Sequence, residues 1–330
     1  MDIEKWSIRV GAAALLFAVL FRLGSDGAFK TAAQALATPE SVAVMMFLES
    51  GRVVRNPPVE TPQDTESAET SPPPEQEEPV QAVFAPAEAK LVEVNSYCGY
   101  EADVSALLQQ PLSWQLQKNE PTVLIVHSHG SESYEKTDKY EDSSAYRTLN
   151  TDYNMISIGA ELKRILEAGG VQVIHDTQMH DQPSYSASYG QSRKSIKKYL
   201  QEYPSICLVL DLHRDALENK DGKQLAVRAK HDGKTVAQLM LVVGTDVRLS
   251  HPAWPENMSL AVKMHALLEK NFPGICRPIS FRSQRFNQDL SPGALLVEVG
   301  AAGNTHQEAL AAVQVLGQTV LELAAGAVVQ

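Results

Sequence analysis

Two histidines and a glutamate follow one apolar run, in the stretch Val123-Leu-Ile-Val-His-Ser-His-Gly-Ser-Glu-Ser-Tyr134. His127 and His129 stand two residues apart, and Glu132 comes three residues after the second. Imidazole nitrogens and carboxylate oxygens are zinc ligands. A catalytic zinc takes three protein ligands and keeps a fourth position for water. His129-x-x-Glu132 offers two ligands, which leaves a third ligand and a general base to be found. His213, in Asp211-Leu-His-Arg-Asp215, is a candidate third ligand. Glu298, in Leu-Leu-Val-Glu-Val-Gly, is a candidate base that would take a proton from the water and give it to a leaving amine. A glutamate between such apolar neighbours is rarely buried without a partner, so a salt bridge or a function must explain it.

Each residue also has a plainer reading. His-x-His at a strand end can be two surface residues. His213 can serve in an ion-pair cluster with Arg214 and Asp215. His175, His231, His251, His265 and His306 read as surface or loop residues. His180 stands apart, because its loop, Thr177 to Tyr185, is placed to border a cleft.

Such residues need rigid strands to bring them together. Val123–Val126 reads as a buried strand, and Ile206–Leu212 as another that delivers His213; Ala294–Val299 carries Glu298. Further strands are expected at Leu91–Asn95, Val171–Ile174, Gln224–Lys230 and Ala237–Gly244. Helices are expected from Asp103 to Gln110, at Met155–Ala168, Ser192–Tyr203 and 256–270, and at Gln307–Ala325. Gly169-Gly170 closes the second of these. Strands alternating with helices predict an α/β domain with a mixed, largely parallel sheet flanked by helices. In such sheets, ligands bind outside the carboxyl ends of the strands, where His129, His213 and Glu298 are expected.

The amino-terminal part differs. Residues 1–29 hold the apolar run Val10–Phe21 between Arg9 and Arg22, expected as an uncleaved membrane anchor or, alternatively, a signal segment. Residues 30–54 are expected to form a short helical segment. Residues 55–88, rich in proline and glutamate, are expected to be a disordered tether, because they cannot bury enough apolar area to offset chain entropy. The catalytic domain is expected over 89–330. The net charge of −11 excludes a generic nucleic-acid binder, which needs a basic face. Three cysteines are too few for a disulfide scaffold, and nothing in their spacing compels a Cys98–Cys276 bridge.

At these residues the chain resembles the stage II sporulation protein P family of endospore-forming bacteria. The matching segments are Val-His-Ser-His-Gly-Ser-Glu-Ser-Tyr (126–134), Tyr-Arg-Thr-Leu-Asn-Thr-Asp-Tyr-Asn (146–154) and His-Asp-x-x-x-His-Asp-x-Pro-Ser-Tyr (175–185). Asp-Leu-His-Arg-Asp (211–215) and Arg-Phe-Asn-Gln-Asp-Leu-Ser-Pro-Gly-Ala-Leu-Leu-Val-Glu-Val-Gly (285–300) complete the set. The resemblance implies a zinc-dependent N-acetylmuramoyl-L-alanine amidase, also linked to endopeptidase cleavage of cross-links. It implies work on septal peptidoglycan during engulfment, from a membrane anchor and outside the cytoplasm. The implied partners are the D-type and M-type stage II sporulation proteins. Similar zinc amidases place their first histidine in a Pro-Gly-His-Gly-Gly turn, which lays His129 and not His127 on the metal. Their last strand carries the catalytic glutamate, matching Glu298. They also take a carboxylate from the start of the first helix, near Thr151–Asn154, where this chain has only Asp152. Glu132 is therefore the preferred third ligand and Asp152 the alternative. His127, His180 and Arg214 remain as further candidates. Two other classes stay open: a non-catalytic wall-binding scaffold and a carboxypeptidase-type metallopeptidase.

Overall fold

The computed structural model describes residues 84–112, 119–136 and 146–325. The expected anchor, the 30–54 helix and nearly all of the expected tether lie outside the described residues. Among the described residues, no helix is long and apolar enough to cross a membrane.

Among the described residues, nine strands and five α-helices follow a short 3₁₀ turn at Pro86–Leu91. They are β1 (Val94–Ser96), α1 (Val104–Gln109), β2 (Val123–Val126), α2 (Met155–Ala168), β3 (Val173–His175), α3 (Ser188–Glu202) and β4 (Leu208–Asp215). The chain continues with β5 (Arg228–His231), β6 (Lys234–Ala237), β7 (Leu239–Val243), α4 (Trp254–Asn271), β8 (Ile279–Phe281), β9 (Ala294–Ala301) and α5 (His306–Ala324). Seven strands form one sheet in the order β1-β8-β7-β9-β4-β2-β3, and β5-β6 is a separate hairpin. All neighbouring pairs in the large sheet are parallel except β7–β9. The fold is the mixed, largely parallel α/β sheet that the alternation of elements predicts.

Local chemistry sets the helix ends. Asp103 caps α1 by accepting from the Ala106 amide, and Asn154 caps α2 by accepting from Ile156. Thr305 and Glu308 form a reciprocal capping box at α5. Helix α3 begins four residues before the expected Ser192, with no side-chain cap to mark its start. The strand expected from Leu91 begins instead at Val94, because Pro86 opens the 3₁₀ turn and Glu88 bonds back to the Ala85 amide. The hairpin strand β6 and the three-residue β8 were not expected. Cys98, Cys207 and Cys276 form no disulfide.

The two faces of the sheet differ. Alternate residues of β2, β4 and β9 (Val123, Ile125; Leu208, Leu210, Leu212; Leu295, Val297, Val299) join the main core with α1, α2, α4 and α5. The intervening residues Leu124, Val126 and Val209 pack under Ile196 and the partly buried Tyr199 and Leu200 of α3. That second core reaches β9 only at Ala294.

Candidate active site

Period-two alternation decides which polar residues meet. On β4, Asp211 and His213 follow Val209 on the α3 side of the sheet. Glu298 follows Leu296 on that same side of β9, and the parallel register sets Glu298 opposite His213. Beyond this pair the register shifts, so that Asp215 meets Ala301. Gly300, at φ +73°, supplies the left-handed residue of this bulge, a device common beside active sites.

The same alternation sends His127 to the other face, away from this group. Its Nδ1 lies 3.2 Å from the Leu212 carbonyl and its Nε2 2.9 Å from His175 Nε2. A carbonyl only accepts, so His127 donates from Nδ1 and accepts from His175. Both rings press on α2 at Gly159, where a Cβ would come within 2.5 Å of either Nε2. Burial, with His175 beside it, lowers the His127 pKa to about 3.

Around His213 lies a dense electrostatic cluster. Its Nδ1 is 3.6 Å from Glu132 Oε2. Its Nε2 is 2.9 Å from Asp211 Oδ1 in an ion-pair contact. Asp211 also accepts from the Ser128 amide (2.8 Å) and hydroxyl (2.6 Å). Burial alone would strip the proton from His213. The two carboxylates outweigh burial and raise its pKa well above the ordinary value. Glu132 also lies 3.7 Å from Arg214 Nη1 and 3.6 Å from Arg147 Nη2. Burial works against its charge, yet Arg214 and the histidines bring its pKa down to about 2. Arg214 further donates to the carbonyls of Ser133 and Tyr146, clamping the loop after β2 onto β4.

His129 is buried between Tyr185, stacked at 4.2 Å, and the edge of His213 at 5.1 Å. Burial first, and then His213, lower its pKa to about 4. Glu298 behaves in the opposite way. Burial, with Glu132 and Asp215 nearby, raises its pKa to about 8 against the opposing charges of His213 and Arg214. Its Oε2 is buried with no hydrogen-bond partner.

As a zinc site, the set fits in donor type: two imidazoles and a carboxylate. The 3.6 Å between His213 Nδ1 and Glu132 Oε2 is near the ~3.3 Å edge of a tetrahedron with zinc–ligand bonds of about 2.0 Å. His129 Nδ1 is a buried nitrogen with no partner. Among the described residues, no three such groups already close around a common point. The buried carboxylates of Glu132 and Asp211 here share the proton of His213, a charge that a divalent cation would replace.

The remaining candidates lie elsewhere. Asp152 is exposed in the turn before α2. His180 is buried and bonded to Asp176 at 2.9 Å, and its neighbour Asp181 accepts from the Ser131 amide and hydroxyl of the loop after β2. Contrary to the surface reading, His251, His265 and His306 are buried too, and burial is the first cause of the lowered pKa of each. Residues missed in the sequence are Asp211, Arg147, Tyr185 and Tyr189. Arg147 sits over the Tyr185 ring at 4.0 Å, and Tyr189 lies flat beside His213 at 6.2 Å. Asp211 carried the same signal as Glu298, an acid inside an apolar run; the tyrosines carried none.

Glu298 opens onto a cavity of about 290 Å³ floored by Met240, Val242 and Leu296. Tyr189 and Phe286 separate it from a second cavity of about 440 Å³. Both are of the size of small-molecule sites.

The family model "Stage II sporulation protein P" matches residues 37–320. The stage II sporulation protein P of Bacillus subtilis (strain 168) is 28% identical over 219 residues, 61% of this chain and 52% of that protein. The chain thus spans about half the length of that curated relative. Among solved structures, the N-acetylmuramoyl-L-alanine amidase AmiC2 of Nostoc punctiforme is 16% identical with a TM-score of 0.38, over 63% of this chain and 96% of that one. The N-acetylmuramyl-L-alanine amidase Ami1 from Mycobacterium smegmatis is 12% identical with a TM-score of 0.38, over 64% and 97%.

Proposed function

This chain belongs to the stage II sporulation protein P family, and on that premise we propose that it is a sporulation peptidoglycan hydrolase that uses zinc to cut the N-acetylmuramoyl–L-alanine amide bond. The observation that carries the proposal is the pairing of His213 with Glu298 across β4 and β9, with Glu132 3.6 Å from the same imidazole.

His129, Glu132 and His213 would hold the ion. When bound, zinc supplies an acidified water and polarises the amide carbonyl. Glu298 then takes the proton of the attacking water and returns it to the nitrogen of the leaving amine. A carboxyl group whose pKa is raised to about 8 is suited to both transfers. Asp211, fixed by Ser128, sits behind His213 and sets its orientation. Arg214 holds Glu132 against β4. We also assign the amino-terminal apolar segment to membrane attachment on the outer side, and the proline-rich stretch to reach toward the septal wall. The D-type and M-type stage II sporulation proteins are the proposed partners.

The test is metal content and turnover of the full chain beside its Glu298→Gln variant, on muramoyl peptide and on free stem peptide. One zinc in each protein, with release of stem peptide from the muramoyl substrate by wild type alone, is expected. Cleavage of the free peptide instead would favour a carboxypeptidase-type enzyme. A second reading, a non-catalytic wall-binding scaffold, draws on the ion pairs of Glu132 with Arg147 and Arg214, which can hold this carboxylate without any metal. Sacculus binding with neither zinc nor turnover would favour it.

A further inference from the structure

The α3 core covers β2, β4 and the start of β9, whereas the cavity beside Glu298 is floored by β9, β7 and β8. Its floor residues Leu296, Val242 and Ser280 lie in register across β9, β7 and β8, and Met240 lies opposite Glu298. This is a trough with an apolar floor and polar ends that starts at the candidate base and runs toward the β1 edge. Arg282, immediately after β8, stands at its far end and lines the same cavity. Its guanidinium lies over Tyr97 at 5.1 Å and, among the described residues, has no carboxylate partner. The trough's other arginine, Arg277, is neutralised by Asp215 at 2.7 Å.

The wall of the trough is built under strain. Phe286 and Asn287, neither of them glycine, both adopt left-handed backbone conformations (φ 51° and 61°). The Asn287 side chain holds this turn by donating to the Tyr189 carbonyl and to Ser192 Oγ. Strain of this kind persists where the surrounding structure enforces it, typically at ligand sites.

We propose that Arg282 is a carboxylate-binding subsite, and that the trough receives an anionic peptide whose free carboxylate lies about five residues beyond the scissile amide. The spacing follows from the sheet. Glu298 on β9 lies opposite Met240 and Arg282 falls beside Gly244, two strand spacings across and four residues along, about 16 Å in all, roughly five residues of extended peptide. A paired arginine would not discriminate such a ligand, but an unpaired one over a tyrosine ring presents its donor fork to it. In a chain of net charge −11, a local cation at that point also decides which end of an acidic substrate enters. This inference rests on the amidase proposal above.

The test compares two muramoyl pentapeptides, one with a free carboxylate on its fifth residue and one with a carboxamide there. They are given to the full-length wild type and to its Arg282→Met, Arg282→Lys and Arg248→Met variants. Arg248 lines the neighbouring cavity and controls for a general loss of positive charge. Wild type should show a KM about tenfold lower for the free acid. Arg282→Met should abolish that preference at unchanged kcat, Arg282→Lys should keep part of it, and Arg248→Met should keep all of it. Equal KM values in wild type, or a preference that survives Arg282→Met, would overturn the subsite. If wild type cuts neither compound, the amidase reading has failed, and calorimetric binding of both pentapeptides decides the subsite alone. A binding preference in wild type that is lost in Arg282→Met supports it, and no preference overturns it.

Discussion

Replacing Glu298 with glutamine should make the metal-free protein more stable at pH 8 while removing its activity. The Glu298 carboxyl has its pKa raised from 4.5 to about 8, chiefly by burial. Below pH 4.5 both folded and unfolded chains hold the proton, and the position costs nothing in charge. Between pH 4.5 and 8 the unfolded chain releases its proton and the folded chain keeps it, so stability falls as pH rises. At about 1.4 kcal/mol per unit, the full loss reaches ~5 kcal/mol above pH 8. The side chain opens onto a cavity, and water there relieves part of this, leaving about 2 kcal/mol. Glutamine keeps the shape and cannot ionise, so it avoids that loss. In a protein of this size the gain is about 4–8 °C in Tm. Thermal unfolding in chelator at pH 5 and pH 8, for both proteins, reads it directly. Equal Tm values at pH 5 with a higher value for the variant at pH 8 are expected. A variant less stable at both pH values would mean that Glu298 is held by a stabilising partner. The assignment of Glu298 as an uncompensated acid, and with it the reason to name it the base, would then be refuted.

Asp211→Asn should lower kcat/KM about 10–100-fold with zinc still bound, since orienting groups behind metal ligands contribute on that scale; unchanged kinetics would remove Asp211 from the site. Gly159→Ala should destabilise the fold by about 1–2 kcal/mol in urea unfolding, because a Cβ 2.5 Å from His127 and His175 costs more than the ~1 kcal/mol of helix propensity it gains. A more stable variant would show that the two rings yield freely. Arg214→Met should cost about 3–5 kcal/mol by stranding Glu132, and should hasten proteolysis near Ser133 and Tyr146, whose carbonyls Arg214 holds. A digestion pattern like that of wild type would contradict this clamp.

The elements with continuous apolar patterns were legible in the sequence. Val123–Val126 and Met155–Ala168 form as read, because four buried β-branched or leucine residues leave one option and an asparagine cap with a Gly-Gly stop fixes the other. Ile279–Phe281 was not legible: three residues after Pro278 carry no period, and the strand exists only because β1 and β7 flank it. The reach of β4 through His213 was also hidden, since His-Arg-Asp reads as a polar loop until Glu298 pairs with it across β9. His127 and His129 look equivalent in the sequence, and the sheet separates them. Alternation carries His127 through to Gly159, while Ser128 turns back to Asp211 and leaves His129 free to meet Tyr185 and His213. The buried histidines were misread because a neutral imidazole resembles a polar surface residue in sequence and packs as an aromatic ring once desolvated.

One structural choice links the acid chemistry of Glu298 to the trough. Because α3 packs on Leu124, Val126 and Val209, its helical cover ends near β4. Because β7 runs antiparallel to β9, it sets Met240 opposite Glu298 and Val242 opposite Leu296, giving the carboxylate apolar neighbours and no donor. The floor that leaves Glu298 unpaired is therefore also the surface on which an extended peptide would lie. A peptide seated there expels water from the cavity, and desolvation pushes the Glu298 pKa in the same direction as burial has already done. Once Glu298 has taken the proton of the attacking water, the occupied trough favours its neutral form and holds that proton until the leaving nitrogen takes it.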